Sequence, residues 1–209
     1  LPGGALGREL LERELRSLDR FAARVRDASA APALPAHGSA LAFALDGEAW
    51  RLQGGFADLR PTGLVRWRYD ELRAGDVLAG WIEHLVLAAD PPAGVPPRTR
   101  WLSTDGGLAF AAPAAPARLL EDLLRLYRRG LAEPLRFFPK SAWTFMKNDE
   151  AFSLAEQAWR PTRDKPHAEG ADPAYRLALR GVGDALQGEF VDLARAVFGP
   201  ALAHLEPAG

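Results

Sequence analysis

Residues 54–72 read Gly-Gly-Phe-Ala-Asp-Leu-Arg-Pro-Thr-Gly-Leu-Val-Arg-Trp-Arg-Tyr-Asp-Glu-Leu, and both fold and chemistry turn on them. Pro61-Thr62-Gly63 puts proline and glycine at favoured turn positions, so the chain bends there. Ahead of the turn, Trp50, Leu52, Gly54 and Phe56 alternate with other residues and read as a strand running to Leu59. Behind it, Leu64 to Tyr69 reads as another. Further upstream, Leu41, Phe43 and Leu45 alternate before Asp46-Gly47, a two-residue hairpin signal. The expectation is three strands in meander order, half of a sheet. On the third strand Arg66 and Arg68 share one face, and Trp67 takes the other. That predicts Trp67 in the core, with both arginines at a surface or interface.

Helical periodicity surrounds these strands. Residues 7–28 carry Leu11, Leu15, Leu18, Ala22 and Val25 as one stripe, with six arginines and five acids on the other faces. Residues 74–89 place Val77, Trp81, Leu85 and Ala88 on one side. After the proline-rich loop 90–97, Asp105-Gly106-Gly107 predicts a second hairpin between 100–103 and 108–111. Residues 118–130 form a helix with a wide apolar face of Leu119, Leu120, Leu123, Leu124, Tyr127 and Leu131. Helices near 148–159, 172–180 and 186–198 complete the pattern, split by the Pro161–Gly170 loop. The elements imply one mixed sheet flanked by helices rather than regular βαβ alternation. A single domain over 1–209 is expected, with a core at 1–147 and a helical C-terminal tail at 148–209.

Composition removes whole classes of function. With 26 basic and 27 acidic residues the net charge is −1, which excludes a histone-like polycation and an acidic tail. Cysteine is absent, so disulfides, thiolate metal sites and cysteine nucleophiles are excluded together. Only Lys140, Lys147 and Lys165 are lysines. Leu1 in place of Met points to a piece of a longer chain, and no apolar run approaches the ~18 residues of a membrane span. A soluble domain is expected.

The usual catalytic constellations are missing. None of the six serines lies in a Gly-x-Ser-x-Gly elbow, and no glycine-rich stretch leads to Gly-Lys-Ser/Thr. The four histidines are scattered, although Glu83-His84 on a helix offers either a metal ligand or a packing histidine. The carboxylates are more informative. In nucleases of the PD-(D/E)XK class, an Asp after a glycine-containing strand joins a Glu/Asp-x-Lys on the next strand to hold Mg²⁺ and activate water. Asp58 has the first position here, but Arg66 and Arg68 stand where the second carboxylate and lysine belong. A guanidinium repels a cation and is too basic to act as a general base. The remaining enzymatic alternative is a divergent Mg²⁺ site using Asp58 with Asp70 or Glu71.

Several uncommon segments occur in a familiar order: Leu1-Pro2-x-Gly4-Ala5-x-Gly7, Gly63-Leu64-x-Arg66-Trp67-Arg68, and Trp81-x-Glu83-His84-Leu85. Leu126-Tyr127-Arg128-x-Gly130-Leu131-x-x-Pro134-Leu135 and Phe138-Pro139-x-Ser141 follow. This series resembles the C-terminal domain of RecC, the gamma chain of exonuclease V, over residues 1 to about 145, and more loosely beyond Asn148. The resemblance implies an α/β, restriction-endonuclease-like (PD-(D/E)XK-type) fold that has lost its active residues, with no catalytic, metal or cofactor site. It further implies RecB-like and RecD-like partner subunits, contact with the duplex end and separated DNA strands, and a bacterial cytoplasmic setting.

Near-zero net charge conceals an uneven distribution. Residues 118–147 hold seven basic residues and three acids, whereas 148–209 hold six and ten. Arg125, Arg128, Arg129, Arg136 and Lys140, together with Arg66 and Arg68, are the candidate contacts to DNA or a partner chain. Phe137, Phe138 and Trp143 interleave with this stretch, either to stack on unpaired bases or to fill the core.

Overall fold

A computed structural model describes residues 3–206. Leu1 and Pro2 of the first motif, and the last three residues of the expected tail, lie outside the described residues. The chain is mixed α/β, with seven helices and two small sheets among the described residues. Helix α1 (Gly4–Ala28) leads into an antiparallel hairpin of β1 (His37–Leu45) and β2 (Glu48–Phe56). Strand β3 (Leu64–Trp67), helix α2 (Ala74–Ala89), β4 (Thr99–Ser103) and β5 (Gly106–Phe110) follow. Then come α3 (Pro116–Ala132), α4 (Pro139–Lys147), α5 (Phe152–Trp159), α6 (Pro173–Ala178), α7 (Phe190–Ala203) and a two-residue β6 (Leu205–Glu206).

The expected three-strand meander does not form. β1 and β2 pair only with each other, and β3 joins a different sheet of order β3-β4-β5-β6. The turn at residues 60–63 does reverse the chain, with Arg60 and Gly63 exchanging backbone hydrogen bonds of 2.9 Å in each direction. It delivers β3 to β4, because the Leu64 N–H donates to the Arg98 carbonyl at 2.8 Å and opens a parallel register. Gly63 makes this approach possible. Its φ is +112°, and a Cβ there would stand 2.2 Å from the Arg98 oxygen. Parallel neighbours require a crossover, and α2 supplies it.

Helix α2 is buried along Val77, Trp81, His84 and Leu85. It lies tight on the sheet at Gly80, where a Cβ would meet the Trp101 ring at 3.1 Å. Its other side joins a core with Phe110, Leu120, Phe138, Phe145, Phe190 and Phe198. Helix α7 is therefore part of the principal core, and β6 extends its sheet through pairing with β5. Helix α4 is an addition that periodicity had not indicated. Nine residues with buried Trp143 and Phe145 hold it in place.

Two apolar features are open to solvent, the second of them against expectation. On α1 the leucine stripe is open to solvent: Leu11, Leu15 and Leu18 are 44%, 48% and 41% exposed. Only Gly7 and Phe21 are buried on that helix, and Phe21 packs with Val65 and Leu102. The amphipathic pattern is real, but no element of the described chain covers its N-terminal half. Trp67 is likewise 58% exposed rather than in the core. β3 is the edge strand of its sheet, and no element among the described residues covers the face on which Trp67 stands.

Candidate functional site

Asp58 follows β2, Arg66 lies on β3 and Glu83 lies on α2, the helix that crosses over from that strand. The three side chains meet. Arg66 donates from Nε and Nη2 to the two Glu83 oxygens, at 2.7 and 3.3 Å, and from Nη1 to Asp58. This forked pairing matches guanidinium to carboxylate geometry. The Arg66 side chain is 22% exposed. Burial alone would lower its basicity, but the hydrogen bonds it donates to Glu83 and Asp58 outweigh that and raise its pKa above the ordinary arginine value. The cation at this carboxylate pair is thus a permanent part of the chain.

Asp70 belongs to a second cluster, in which Glu71 takes part through its backbone. Arg68 pairs with Asp76 at 2.5 Å, approaches Asp70 at 4.0 Å and donates to the Glu71 carbonyl at 3.1 Å. Arg73 also pairs with Asp70, and the Asp76 carboxylate accepts the Arg73 N–H at 2.9 Å to close the first turn of α2. Asp58 and Asp70 therefore have different arginine partners. Among the described residues, no group of three or more His, Asp or Glu side chains is placed to hold a metal ion.

His84 is a packing residue. It is fully buried, with Nε2 3.0 Å from the Ala111 carbonyl and Nδ1 3.1 Å from the Thr99 hydroxyl. A carbonyl only accepts, so Nε2 carries the proton and Nδ1 accepts from Thr99. Burial lowers its pKa to about 4, which keeps it neutral at pH 7. Trp81 stacks on it at 5.6 Å and on His204 at 5.5 Å.

The arginines of α3 are engaged within the chain. Arg125 pairs with Asp46 and Glu121, both at 2.6 Å, and Arg128 pairs with Asp46 at 2.7 Å and Glu48 at 3.2 Å. Together they tie α3 to the tip of the β1–β2 hairpin. Arg129 joins Glu133 at 2.8 Å and also Glu189 beside α7. Arg136 donates to the Asp184 and Gln187 carbonyls at 3.3 and 2.9 Å. Phe138 and Trp143 are buried and Phe137 packs against the core, so these rings do not form a stacking platform. Lys140 is exposed. Residue types and spacing indicated Asp58 and Arg66, but not Glu83 as their companion. The only available signal was a carboxylate on the helix expected after the Arg66 strand.

The fold and its site thus define an α/β domain in which the candidate carboxylates Asp58 and Asp70 are paired with the chain's own arginines. The sequence profile of the RecC C-terminal domain matches residues 1–150, and the chain belongs to that family. It is 30% identical over 149 residues to the RecBCD enzyme subunit RecC of Escherichia coli (strain K12), covering 70% of this chain and 13% of that protein. It is 28% identical over 187 residues to the RecBCD enzyme subunit RecC of Mycobacterium tuberculosis (strain CDC 1551 / Oshkosh), covering 84% and 16% respectively. The chain therefore spans only a small part of the length of the curated relatives it matches. No helix among the described residues is long and apolar enough to cross a membrane.

Proposed function

We propose that this chain is a non-catalytic, nuclease-like domain of an exonuclease V gamma subunit. In this reading it has a restriction-endonuclease-like fold, contacts RecB-like and RecD-like subunits, and guides separated DNA strands during ATP-dependent processing of double-strand breaks in the bacterial cytoplasm. The observation that carries it is the Asp58–Arg66–Glu83 cluster. Asp58 keeps the first position of the nuclease pattern, but the next strand supplies Arg66 in place of a carboxylate, and its guanidinium lies between Asp58 and Glu83. Two carboxylates and water are sufficient to hold Mg²⁺, whereas a fixed arginine repels it and offers no route to an activated water. The family and its RecBCD relatives support placement in a helicase–nuclease complex. The test is incubation of the purified chain with linear duplex and single-stranded DNA in Mg²⁺ or Mn²⁺. No degradation is expected. Degradation abolished by Asp58→Ala would overturn the reading in favour of a divergent nuclease.

A pure protein-interaction module is the second reading, and one observation favours it. An apolar groove of about 360 Å³ lies between α2, α3 and α7, with Tyr127 and Leu131 exposed on its wall. DNA phosphates at Arg125, Arg128 or Arg129 would compete with Asp46, Glu48, Glu121 and Glu189 already in place. Lys140 has no such competitor among the described residues. Salt-dependent binding of forked DNA separates the two readings, since a pure interaction module shows none.

A further inference from the structure

Residues 148–209 are acidic in sum, yet half of their six basic residues fall at Arg160, Arg163 and Lys165, with His167 next to them. The loop that carries them is built rather than loose. Thr162 and Lys165 exchange backbone hydrogen bonds of 3.2 Å in each direction, and the Thr162 hydroxyl accepts a further 3.1 Å bond from the Lys165 N–H. Further along, the Glu169 carboxylate accepts the Lys140 and Ser141 N–H groups at 2.9 and 2.7 Å, fixing the loop to the first turn of α4.

Between loop, α4 and α5 lies a cavity of about 470 Å³. Two of the chain's three lysines, Lys140 and Lys165, line it together with His167. Neither lysine ammonium has a hydrogen-bond or ion-pair partner among the described residues, and Asp164 is the one carboxylate in the lining. Thr144 and Gln157 supply neutral hydrogen-bonding groups, and Leu154, Ala158 and Pro166 supply an apolar wall. The volume is that of a small-molecule site. Unpaired cations beside an apolar wall match the two halves of a nucleotide, an anionic phosphate and a flat apolar base. A carboxylate side chain of an acidic peptide would use only the first half.

We infer that this cavity binds one phosphorylated nucleotide unit of a single DNA strand, with its phosphate at Lys140 and Lys165 and its base against Leu154 and Ala158. The inference deepens the strand-guiding part of the proposed function and rests on it. It also explains why the arginines of α3 are free to serve as internal ties: strand contact falls to different residues.

The test is calorimetric titration of the chain with a twelve-residue oligothymidylate, with thymidine monophosphate and with a polyglutamate peptide, at several salt concentrations. Strand binding is expected, with thymidine monophosphate as a weaker competitor. The Lys140→Ala/Lys165→Ala variant is expected to bind the strand at least tenfold more weakly. Its log K against log salt slope should be shallower by about 0.7, the value for one lost phosphate contact on a single strand. Lys140→Arg/Lys165→Arg should restore most of the binding, and Arg118→Ala, outside the cavity, should change nothing. Unaltered strand binding by the double alanine variant would overturn the inference. So would tight binding of the mononucleotide without the strand, or of polyglutamate in place of either. Absence of all binding would also overturn it, yet would leave the non-cleaving reading intact, because that reading rests on Arg66 and not on these lysines.

Discussion

Arg66 is the residue on which the chemistry depends, because it meets two carboxylates from two different elements at once. Arg66→Met would leave Asp58 and Glu83 facing each other without a cation. The pair is partly exposed, so the cost expected in urea unfolding is about 1–2 kcal/mol rather than the larger figure for a fully buried pair. Removing the guanidinium also opens a two-carboxylate site. Added Mg²⁺ should therefore raise the thermal midpoint of the variant and leave that of the parent unchanged, and an equal response in both would contradict the cluster's role. His84 gives an independent prediction. Its pKa is lowered from 6.5 to about 4 on folding, so the unfolded chain binds the extra proton between those values. Stability should fall as pH drops from 6.5 toward 4 and level off below, with a total contribution of roughly 3 kcal/mol. His84→Gln should be less stable at pH 7 but lose that pH dependence, as read from unfolding midpoints across the range.

At the scale of elements, the β3–α2–β4 crossover positions the cluster, and Gly63 starts it. Gly63→Ala sets a Cβ against the Arg98 carbonyl at a positive φ, so a loss of about 2 kcal/mol or more is expected. The exposed α1 stripe predicts the opposite. Leu11→Gln or Leu15→Gln should change stability by no more than about 0.5 kcal/mol, whereas Phe21→Ala should cost about 3 kcal/mol. Chemical denaturation distinguishes the two classes. These elements also mark how far residue patterns reach. The α2 span and the β4–β5 hairpin were legible because period and turn chemistry are local. The pairing of β3 with β4 instead of β2 was not, because it depends on a backbone approach at Gly63 to a residue 35 positions away. Helix α4 is obscured by its brevity, and Trp143 within it reads either as core or as a stacking ring. Asp58 and Arg66 were legible from the strand pattern, but Glu83 needed the direction of the α2 crossover to become their partner.

For the molecule as a whole, the near-neutral charge is spent inward. The α3 arginines connect the hairpin tip and α7, while the open cations gather at the cavity beside α4 and α5. The last helix belongs to the same core as α2, so Phe198→Ala should destabilise the entire chain by about 3–5 kcal/mol in a single unfolding transition. A separate early transition confined to residues beyond 148 would contradict that cooperativity. The central claim is that a nuclease-like carboxylate pair has been closed by an arginine. It is tested most directly by assaying the purified chain, at high protein concentration, for cleavage of end-labelled DNA in Mg²⁺ and Mn²⁺. Intact DNA in both metals is the predicted result, and metal-dependent cleavage that disappears in Asp58→Ala is the result that would contradict it.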